Sequence, residues 1–407
     1  MVSTRMSEIL TINGGSSSIK FAIFTTADGV RMTRGGRIEG VGGASPTFSV
    51  DGGDGLPIPV RALGALDRAG AVDVLLNWVD QERLDRRLKA IGHRVVHGGP
   101  NYHTPQLLTP AVMEELRRLT PLDPEHLPQE ILLSEACARR FPQLPQVACF
   151  DTAFHHDLPR VARLLPIPRR YEALGVRRYG FHGLSYEYLV GELMRIDGAA
   201  PAAGDRAILA HLGNGASLVA LAGGKPIDTS MGFTPAAGVP MSTRSGDLDP
   251  GLVWYLARTE GMDAHAFNDL VNFKSGLLGI SETSGDMRDL LACEAADHRA
   301  AEAVELFCYQ VRKWIGGFAA ALGGLDTLVF SGGIGERSPV VRERICAGLG
   351  FLGIELDPAR NAANAPLVSA DAARVRTRVI HTNEEQVIAD SVCRVMGLAP
   401  AAAAVGT

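Results

Sequence analysis

The sequence lacks several features that would point directly to a function. Its 407 residues carry 40 Lys and Arg against 45 Asp and Glu, a formal net charge of −5. It has no long basic run, which argues against a nucleic-acid partner. No stretch approaches the roughly 20 apolar residues of a membrane span, and the first residues contain too short an apolar run for a signal peptide. We therefore expect a cytoplasmic protein without a membrane partner.

Motifs for a transition metal or a redox centre are also missing. The six cysteines are scattered without a C-x-x-C pair, so neither a zinc ribbon nor a thiol redox motif is expected. His93 and His97 fall in or beside a predicted strand, where a rise of about 3.3 Å per residue leaves them too far apart to share a metal ion. Any metal should be a hard cation held by oxygen and phosphate.

Two similar hairpins organise the chain. Apolar strands at 9–12 and 19–24 flank a glycine-serine turn, and strands at 207–211 and 217–221 flank a second glycine turn. Other short apolar runs predict further strands, at 91–96, 147–150 and 327–330. A helix is predicted after Thr109-Pro110. The chain length suggests two domains, and the mixture of elements indicates an α/β fold with an internal duplication.

Three glycine-rich turns, at 13–20, 211–215 and 331–336, could approach phosphate groups. Glycine lets backbone N–H groups come close to phosphate oxygens, and the hydroxyls of Ser16 and Ser18 would add donors. None of the turns is a P-loop or a dinucleotide fingerprint. Each alone is typical of an ordinary hairpin or helix start, so phosphate binding is indicated only by the three together.

Two helix starts are predicted in the C-terminal part of the chain. Ser338-Pro339 has the form of an N-cap followed by proline at N1, so a helix should begin there, with an end that could accept an anion or a nucleotide. The segment 382–385, TNEE, is predicted to be a capping box in which Thr382 and Glu385 satisfy each other's backbone N–H groups. Glu384 is then left on the first turn without a structural role.

Four polar side chains stand in apolar or glycine-rich surroundings: Arg94, Asp151, His182 and Arg244. A buried arginine needs an anionic partner. Each of the four, taken singly, is more often a satisfied structural group than a functional one. Their joint presence makes them candidates for the chemistry.

Eight motifs, in order along the chain, resemble those of the acetate and propionate kinase family. They are NGGSSSIK at 13–20, GHRVVHGG at 92–99, FDTAFH at 150–155, RYGFHG at 178–183, HLGNG at 211–215, DTSMGFTP at 228–235, GGIGE at 332–336 and TNEE at 382–385. The resemblance implies the superfold of acetate and sugar kinases, Hsp70 and actin, with duplicated ribonuclease-H-like domains. We expect these domains at 1–150 plus 386–407 and at 151–385, with an ATP cleft between them and a homodimer as the assembly.

The resemblance also implies roles for individual residues. Asn13 and Glu384 would hold Mg²⁺, with Mn²⁺ as a substitute, and Asp151 would lie near it. Arg94 and Arg244 would flank the transferred phosphoryl group and the acyl carboxylate. His182 would donate a hydrogen bond to the phosphoryl oxygens, so that the catalytic residues would be Asp151, Arg94, His182 and Arg244.

The remaining implied contacts are with the two substrates. The short-chain carboxylate would be bound by Arg94, Val96, Phe181 and Pro235. ATP or ADP would be bound by Ser16, Ser18, Lys20, His211, Gly213, Asn214, Gly215, Asp286, Met287, Arg288, Gly333, Ile334, Gly335 and Arg337.

The physical chemistry agrees with these roles. A short aliphatic acid has a pKa close to the roughly 4.3 of a glutamate side chain, so it is ionised at neutral pH and needs no general base. Phosphoryl transfer to it needs neutralisation of negative charge, which arginines supply. The sequence therefore predicts an acetate kinase that reversibly converts ATP and acetate into ADP and acetyl phosphate.

Departures from the family pattern leave the acyl chain length open. Glu125 stands where the family usually has a leucine that helps to line the methyl pocket. We expect Glu125 to point outward, or Leu122 or Leu127 to take that place, because an unpaired carboxylate beside a methyl group is costly to bury. Propionate and butyrate remain alternative substrates. Tyr186 and Arg337 replace a usual histidine and a usual asparagine.

Two other functions are considered. A non-kinase ATPase module of the same superfold would keep the glycine turns, but it would not require Arg94, His182 and Arg244 together. An enzyme that uses another phosphoryl donor, such as pyrophosphate, should show an altered turn at 332–336. Because that turn matches the family motif, ATP is the predicted donor.

Overall fold

The structure is a computed structural model that describes residues 7–15, 18–27, 29–43, 45–51, 60–198, 200–202 and 204–398. The chain divides into two compact units, Met1–Phe154 with Asn383–Thr407, and His155–Thr382. These boundaries differ by a few residues from the expected 150 and 386. The Asp151 N–H donates to Val95 O at 3.0 Å, and Asn13 Nδ2 donates to Glu384 at 2.7 Å, which ties both border segments to the first unit.

The described residues form strands and α-helices throughout the chain. In chain order the strands are β1 Glu8–Gly14, β2 Ser18–Thr25, β3 Arg31–Glu39, β4 Thr47–Asp51, β5 Arg61–Ala62, β6 Leu88–Val95, β7 Gln106–Leu107, β8 Gln146–Phe150, β9 Arg206–Leu212, β10 Ala216–Ala222, β11 Lys225–Thr229, β12 Thr327–Ser331 and β13 Arg376–Val379. The helices are α1 Arg68–Gln81, α2 Pro110–Leu119, α3 Leu127–Arg140, α4 Arg160–Arg163, α5 Gly183–Asp197, α6 Gly251–Thr259, α7 Ala264–Phe273, α8 Gly276–Ser281, α9 Met287–Cys293, α10 His298–Leu322, α11 Gly332–Arg337, α12 Pro339–Cys346, α13 Pro358–Ala362 and α14 Glu384–Met396. Short 3-10 helices cover Leu84–Arg86, Thr120–Leu122, Ala153–His155, Glu172–Leu174 and Gly350–Leu352.

The first unit is built on a sheet of order β5-β4-β3-β2-β1-β6-β8-β7. Strands β1 to β4 form an antiparallel meander, and β6 and β8 run parallel to β1. Helices α1 and α3 bury one face of this sheet in a core that includes Leu10, Phe21 and Ile91. Side chains alternate between the two faces of a strand, so Gly92 faces the other side. There a Cβ would lie 2.5 Å from Ile388, and the missing side chain lets α14 pack closely on β6.

The second unit has a sheet of order β11-β10-β9-β12-β13. Strands β9, β10 and β11 form an antiparallel meander, and β12 and β13 run parallel to β9. The long helix α10 packs against β9 and β10 and buries Phe307 and Val311. The order β3-β2-β1-β6-β8 of the first unit is the same arrangement, so the predicted α/β fold with an internal duplication is confirmed.

Most local predictions agree with the observed elements. Both hairpins form, and the strands predicted at 91–96, 147–150 and 327–330 correspond to β6, β8 and β12. Helix α2 begins where expected, with Thr109 accepting a hydrogen bond from the Val112 N–H. Ser338 caps α12 by accepting from Val341. The third glycine turn differs from the expectation because residues 332–337 close into the short helix α11.

The predicted capping box at 382–385 is wrong. Helix α14 begins at Glu384, and its N-cap is Asn383, whose side chain accepts from the Gln386 N–H at 3.0 Å. Thr382 does not cap the helix because its hydroxyl bonds Ser185 Oγ at 2.8 Å. The amphipathic pattern that signalled the helix was sound, and the start was misplaced by one residue. Within the described ranges, no helix combines the length and the apolar character needed to cross a membrane.

Candidate active site

The first unit brings four predicted site residues to one edge of its sheet. Asn13 lies near the end of β1, Arg94 near the end of β6, and Asp151 directly after β8. These three strands are parallel neighbours, so their carboxyl ends meet at the same edge. Glu384 reaches the group from the first turn of α14.

Hydrogen bonds join these four side chains into one network. Arg94 Nε donates to Asp151 Oδ2 at 3.0 Å, and Arg94 Nη1 donates to Asn13 Oδ1 at 3.4 Å. Asn13 Nδ2 donates to Glu384 Oε2 at 2.7 Å and to Glu385 Oε1 at 3.4 Å. Residues far apart in the sequence therefore form a compact polar cluster that carries both a guanidinium and carboxylates.

The charge of Arg94 is held by its neighbours. Burial lowers the pKa of this guanidinium, but the carboxylates of Asp151 and Glu384 more than offset it and raise that pKa above its ordinary value. Asp151 is fully buried, and 13% of the Arg94 side chain is exposed. A permanently charged arginine with a small exposed part can receive an anion without giving up its structural partner.

Glu130 on α3 is a buried acid that the sequence reasoning missed. Both of its carboxylate oxygens accept from the Val96 N–H, at 3.1 and 3.0 Å. Burial raises the pKa of Glu130 to about 8, although the charge of Arg94 opposes this shift. The available signal was an acid on the same helix face as Leu127, Ile131 and Ser134, all three of which are apolar or small.

Arg68 of α1 is hydrogen-bonded to the backbone of the first glycine turn. Sequence reasoning did not single out this residue either. Arg68 Nη1 donates to Gly15 O, and the Gly15 N–H donates to Ser18 O at 2.9 Å. A Cβ on Gly14 would lie 2.5 Å from Arg68 Nη2. Lys20 is exposed on β2 opposite Asn13. Ser16, another predicted ATP contact, lies outside the described residues.

The predicted acyl-binding segment of the first unit is largely apolar. Val96 is buried. Leu127 is fully buried and Leu122 partly buried, in a core cluster that also contains Val95. Glu125 is half-buried. Both leucines considered as replacements for Glu125 therefore contribute to the apolar packing on this side of the unit.

In the second unit, His182 is the centre of a polar group. It lies immediately before α5 with φ of +58°, an uncommon conformation for a residue other than glycine. Its Nδ1 is hydrogen-bonded to Ser217 Oγ at 2.9 Å, and Ser217 Oγ is also bonded to Tyr186 OH. The ring stacks on His211 with centroids 4.4 Å apart. Ser217 was not anticipated, because only the fold brings β10 to His182.

The second glycine turn lies against His182 and Arg244. A Cβ on Gly215 would lie 3.1 Å from His182 Nε2 and 3.5 Å from Arg244 Nη1. Because Gly215 has no side chain, the His182 ring and the Arg244 guanidinium can both lie close to the backbone at this position. Arg244 Nη1 also donates to Pro235 O at 3.3 Å. Phe181, the other predicted acyl contact of this unit, is buried.

The second and third glycine turns are adjacent. A Cβ on Gly213 would lie 3.8 Å from the Gly333 nitrogen. Asn214 O accepts from the Ser242 N–H at 3.2 Å, and Ser242 Oγ donates to Gly285 O at 2.7 Å. This chain of contacts connects the turns to the segment that follows Gly285. Gly335 is buried, Ile334 half-buried, and Gly333 exposed.

Three predicted nucleotide contacts follow Gly285. Asp286 caps α9 by accepting from the Arg288 N–H, and Arg288 Nε donates to it at 3.0 Å. The hydrogen bond from the Arg288 side chain lowers the pKa of Asp286. Met287 is buried, whereas Arg288 is exposed and so is Arg337 at the end of α11. The structure thus presents an ion pair at the surface here, with a buried methionine beside it.

The donor set of the first unit suits a hard cation. Glu384 and Asp151 supply carboxylates, and Asn13 supplies an amide oxygen. Magnesium is usually held by one or two carboxylates together with substrate phosphates rather than by a cage of protein ligands. In the part of the chain that the structure describes, no three His, Cys, Asp or Glu residues form a cluster that could hold a metal ion.

Comparison with known proteins gives a consistent result over nearly the whole chain. Residues 8–390 match the model of the acetokinase family. An acetate kinase of Rhodopseudomonas palustris is 45% identical over 394 residues, which cover 95% of this chain and 98% of that protein. A propionate kinase of Citrobacter rodentium is 42% identical over 393 residues, covering 95% and 96% of the two chains.

Solved structures agree. A propionate kinase from Francisella tularensis superposes with a TM-score of 0.88 at 34% identity and covers 95% of this chain and 99% of its own. An acetate kinase from Porphyromonas gingivalis gives a TM-score of 0.84 at 34% identity, with coverage of 96% and 100%. The resemblance read from the eight motifs is confirmed. The chain belongs to the acetokinase family.

Proposed function

We propose that the protein transfers the γ-phosphoryl group of ATP reversibly to the carboxylate of a short-chain acid, with acetate as the first substrate to test. Membership in the acetokinase family makes it an ATP-dependent phosphotransferase with a carboxylate acceptor. The observation that carries the proposal at the site is the network of Asn13, Arg94, Asp151 and Glu384. A cytoplasmic location belongs to the same proposal, because ATP is supplied there.

The first unit would hold the carboxylate and the cation. Arg94, kept charged by Asp151 and Glu384, would pair with the acyl carboxylate. Asn13 and Glu384 would hold Mg²⁺, which supplies neutralising charge to the phosphates when bound. Val96 would contact the methyl group. The acyl oxygen is already anionic, so none of these groups needs to remove a proton.

The second unit would hold the nucleotide and stabilise the charge that spreads over the phosphoryl oxygens. His182 Nδ1 is hydrogen-bonded to Ser217, and Nε2 is the ring atom that lies beside Gly215, so we assign Nε2 as the donor to such an oxygen. Arg244 approaches the same glycine. The backbone groups of Asn214, Gly215 and Gly333–Gly335 would hold the phosphates and the adenosine, with Asp286 near the ribose.

The acyl chain length is tested separately from the reaction. Relatives of similar identity carry both names, acetate kinase and propionate kinase. One methylene changes discrimination by only about 1–3 kcal/mol, so activity with both acids is expected, at different efficiencies. Butyrate is the third acid to compare.

A hydroxylamine trap with Mg-ATP tests the whole proposal. Acetate, propionate and butyrate are supplied in turn, and the acyl phosphate is detected as its hydroxamate. We expect hydroxamate with at least one acid in the wild type, and none above background in the Arg244→Ala variant. If ATP is hydrolysed but no acid yields hydroxamate, the ATPase alternative replaces this proposal.

We also infer that the protein forms a homodimer through α6 and α7. The structure describes every residue of these two helices, and none of them is buried within the chain. They nevertheless carry Trp254, Tyr255 and Phe273 at the surface. Exposed large aromatic side chains on helices that bury none of their residues favour a protein contact, and the resemblance to a family of homodimers favours a second copy as the partner.

A further inference from the structure

Glu336 is a buried carboxylate that the proposed function does not use. It precedes the last residue of α11, and only 7% of it is exposed. Its Oε1 accepts from the backbone N–H of Gly332 at 3.0 Å and from that of Thr382 at 3.1 Å. Its Oε2 lies 2.7 Å from His381 Nδ1. Both oxygens are thus engaged, as burial of a charged group requires.

One segment that Glu336 joins is the third glycine turn. Gly332 has φ of +73°, and a Cβ there would lie 2.7 Å from Leu212 O in the second turn. The backbone at Gly332 is therefore closely confined, and so is the direction of its N–H. The hydrogen bond from that N–H fixes the Glu336 carboxylate relative to the turn that carries Gly333.

The other segment is His381–Thr382, which leads into α14. Thr382 is held twice. Its N–H donates to Glu336, and its Oγ1 bonds Ser185 Oγ at 2.8 Å. The same Ser185 oxygen bonds His211 Nδ1 at 2.8 Å. Backbone and side chain of Thr382 are both anchored to groups that belong to, or contact, the candidate nucleotide turns.

We propose that Glu336 is a positioning residue that fixes the backbone at Thr382 and thereby the Glu384 carboxylate as a ligand of the nucleotide-bound divalent cation. Glu384 lies two residues after Thr382, so a displacement of the Thr382 backbone is transmitted to Glu384 through a single intervening residue. This inference rests on the proposed function, which assigns Glu384 to the cation.

The expected consequence is specific to the metal. Groups that orient a metal ligand typically change metal affinity by about 10–100-fold when they are removed. Arg94, by contrast, lies in β6 and is oriented by Asp151, which follows β8, so neither residue belongs to the segment that Glu336 holds. Loss of Glu336 should therefore weaken cation binding and leave the KM for the carboxylate near its wild-type value, whereas general damage to the site would raise both.

The test is Mn²⁺ binding by the full chain in the presence of ADP, followed by electron paramagnetic resonance. We expect Glu336→Ala to raise the Kd for Mn²⁺ about tenfold. Glu336→Gln keeps an oxygen acceptor for both N–H groups and should restore a Kd near that of the wild type. Glu343→Ala, which removes an exposed acid of α12, is the matched control and should change nothing.

Each outcome decides the inference. A wild-type Kd in a folded Glu336→Ala protein overturns it, as does a Glu336→Gln protein that is as weak as Glu336→Ala. If Glu336→Ala shows no cooperative thermal transition, Ser185→Ala removes the second anchor of Thr382 instead. A raised Kd in that variant supports the inference and an unchanged Kd overturns it. A wild type that binds no Mn²⁺ with ADP contradicts the proposed function itself, and the inference falls with it.

Discussion

At the scale of single residues, Arg94 has a structural duty and a proposed catalytic one. It pairs with Asp151, which is fully buried. Removing the guanidinium should lower turnover by about 10³-fold or more. It also removes the guanidinium that pairs with this buried carboxylate, and breaking a buried ion pair typically costs about 3–5 kcal/mol. Arg94→Ala is therefore expected to be both inactive and less stable in urea unfolding.

A second substitution separates these two effects. Asp151→Asn in the Arg94→Ala background removes the buried charge that Arg94 balanced, so part of the lost unfolding free energy should return while activity stays absent. Arg244→Ala offers the comparison from the other unit, since Arg244 Nη1 donates to the neutral backbone oxygen of Pro235 at 3.3 Å. It should lose turnover with a smaller loss of stability. Near-normal turnover in either single variant contradicts the proposed roles.

Glu130 makes stability depend on pH. Its pKa is raised from 4.5 to about 8, chiefly by burial. Between these values the unfolded chain has released the proton and the folded chain still holds it, so the contribution of Glu130 to stability falls as pH rises through this window. Below about pH 4.5 the Glu130 carboxyl is protonated in both the folded and the unfolded chain, so its contribution to the unfolding free energy is at its maximum there.

Glu130→Gln should therefore gain stability relative to the wild type as pH rises from 5 to 8. The difference grows by at most about 1.4 kcal/mol per pH unit and is measured by urea unfolding at three pH values. Glu135→Gln, on the same helix and more exposed, should show no such trend. A gap between Glu130→Gln and the wild type that is independent of pH would contradict the raised pKa.

At the scale of elements, two glycines should respond in opposite directions to alanine. Gly191 lies inside α5, is exposed, and has no atom within 4 Å of a Cβ built on it. Alanine there should stabilise the protein by up to about 1 kcal/mol, because it restricts the unfolded chain. Gly332 has φ of +73° and a Cβ would lie 2.7 Å from Leu212 O. Alanine there should destabilise the protein by more than Gly191→Ala stabilises it.

The same elements show what the sequence could and could not predict. The hairpins and α2 were predictable because apolar periodicity and local caps such as Thr109 define them within a few residues. The start of α14 was misplaced because Thr382 bonds Ser185, almost two hundred residues earlier in the chain. Ser217 and Arg68 were missed for the same reason. Their roles depend on which strands and helices become neighbours, and no local pattern reports that.

At the scale of the whole molecule, sequence motifs identified the candidate site residues, whereas their burial and their proximity to one another are set by the fold. Arg94 and Asp151 were singled out by their apolar surroundings and by the resemblance, and Asn13 by the resemblance alone. Their meeting at one sheet edge follows from the parallel order β1-β6-β8. Glu130, a buried acid whose pKa responds to the charge of Arg94, lies in none of the family motifs. The sequence therefore indicated the chemistry, and the fold added the groups that set its charge and geometry.

The proposed homodimer is tested at the scale of the whole molecule, on α6. Trp254 and Tyr255 are 67% and 61% exposed on this helix. Large aromatic side chains dominate the energy of protein interfaces, and truncating one commonly costs about 2 kcal/mol or more. Introducing charge at both positions adds a desolvation penalty to this loss. We therefore expect the wild type to be a dimer and the Trp254→Glu/Tyr255→Glu protein to be a monomer at the same concentration.

Sedimentation velocity over a dilution series measures this difference, and a matched control excludes a general effect of replacing surface aromatics. Phe351, in the 3-10 helix Gly350–Leu352, is 74% exposed and belongs to a different segment of the same unit. Phe351→Glu should leave the dimer intact. A double variant that still sediments as a dimer, or a wild type that is monomeric throughout the series, would show that α6 does not form the contact. Loss of the dimer in both variants would instead place Phe351 within the interface, a surface larger than the one proposed.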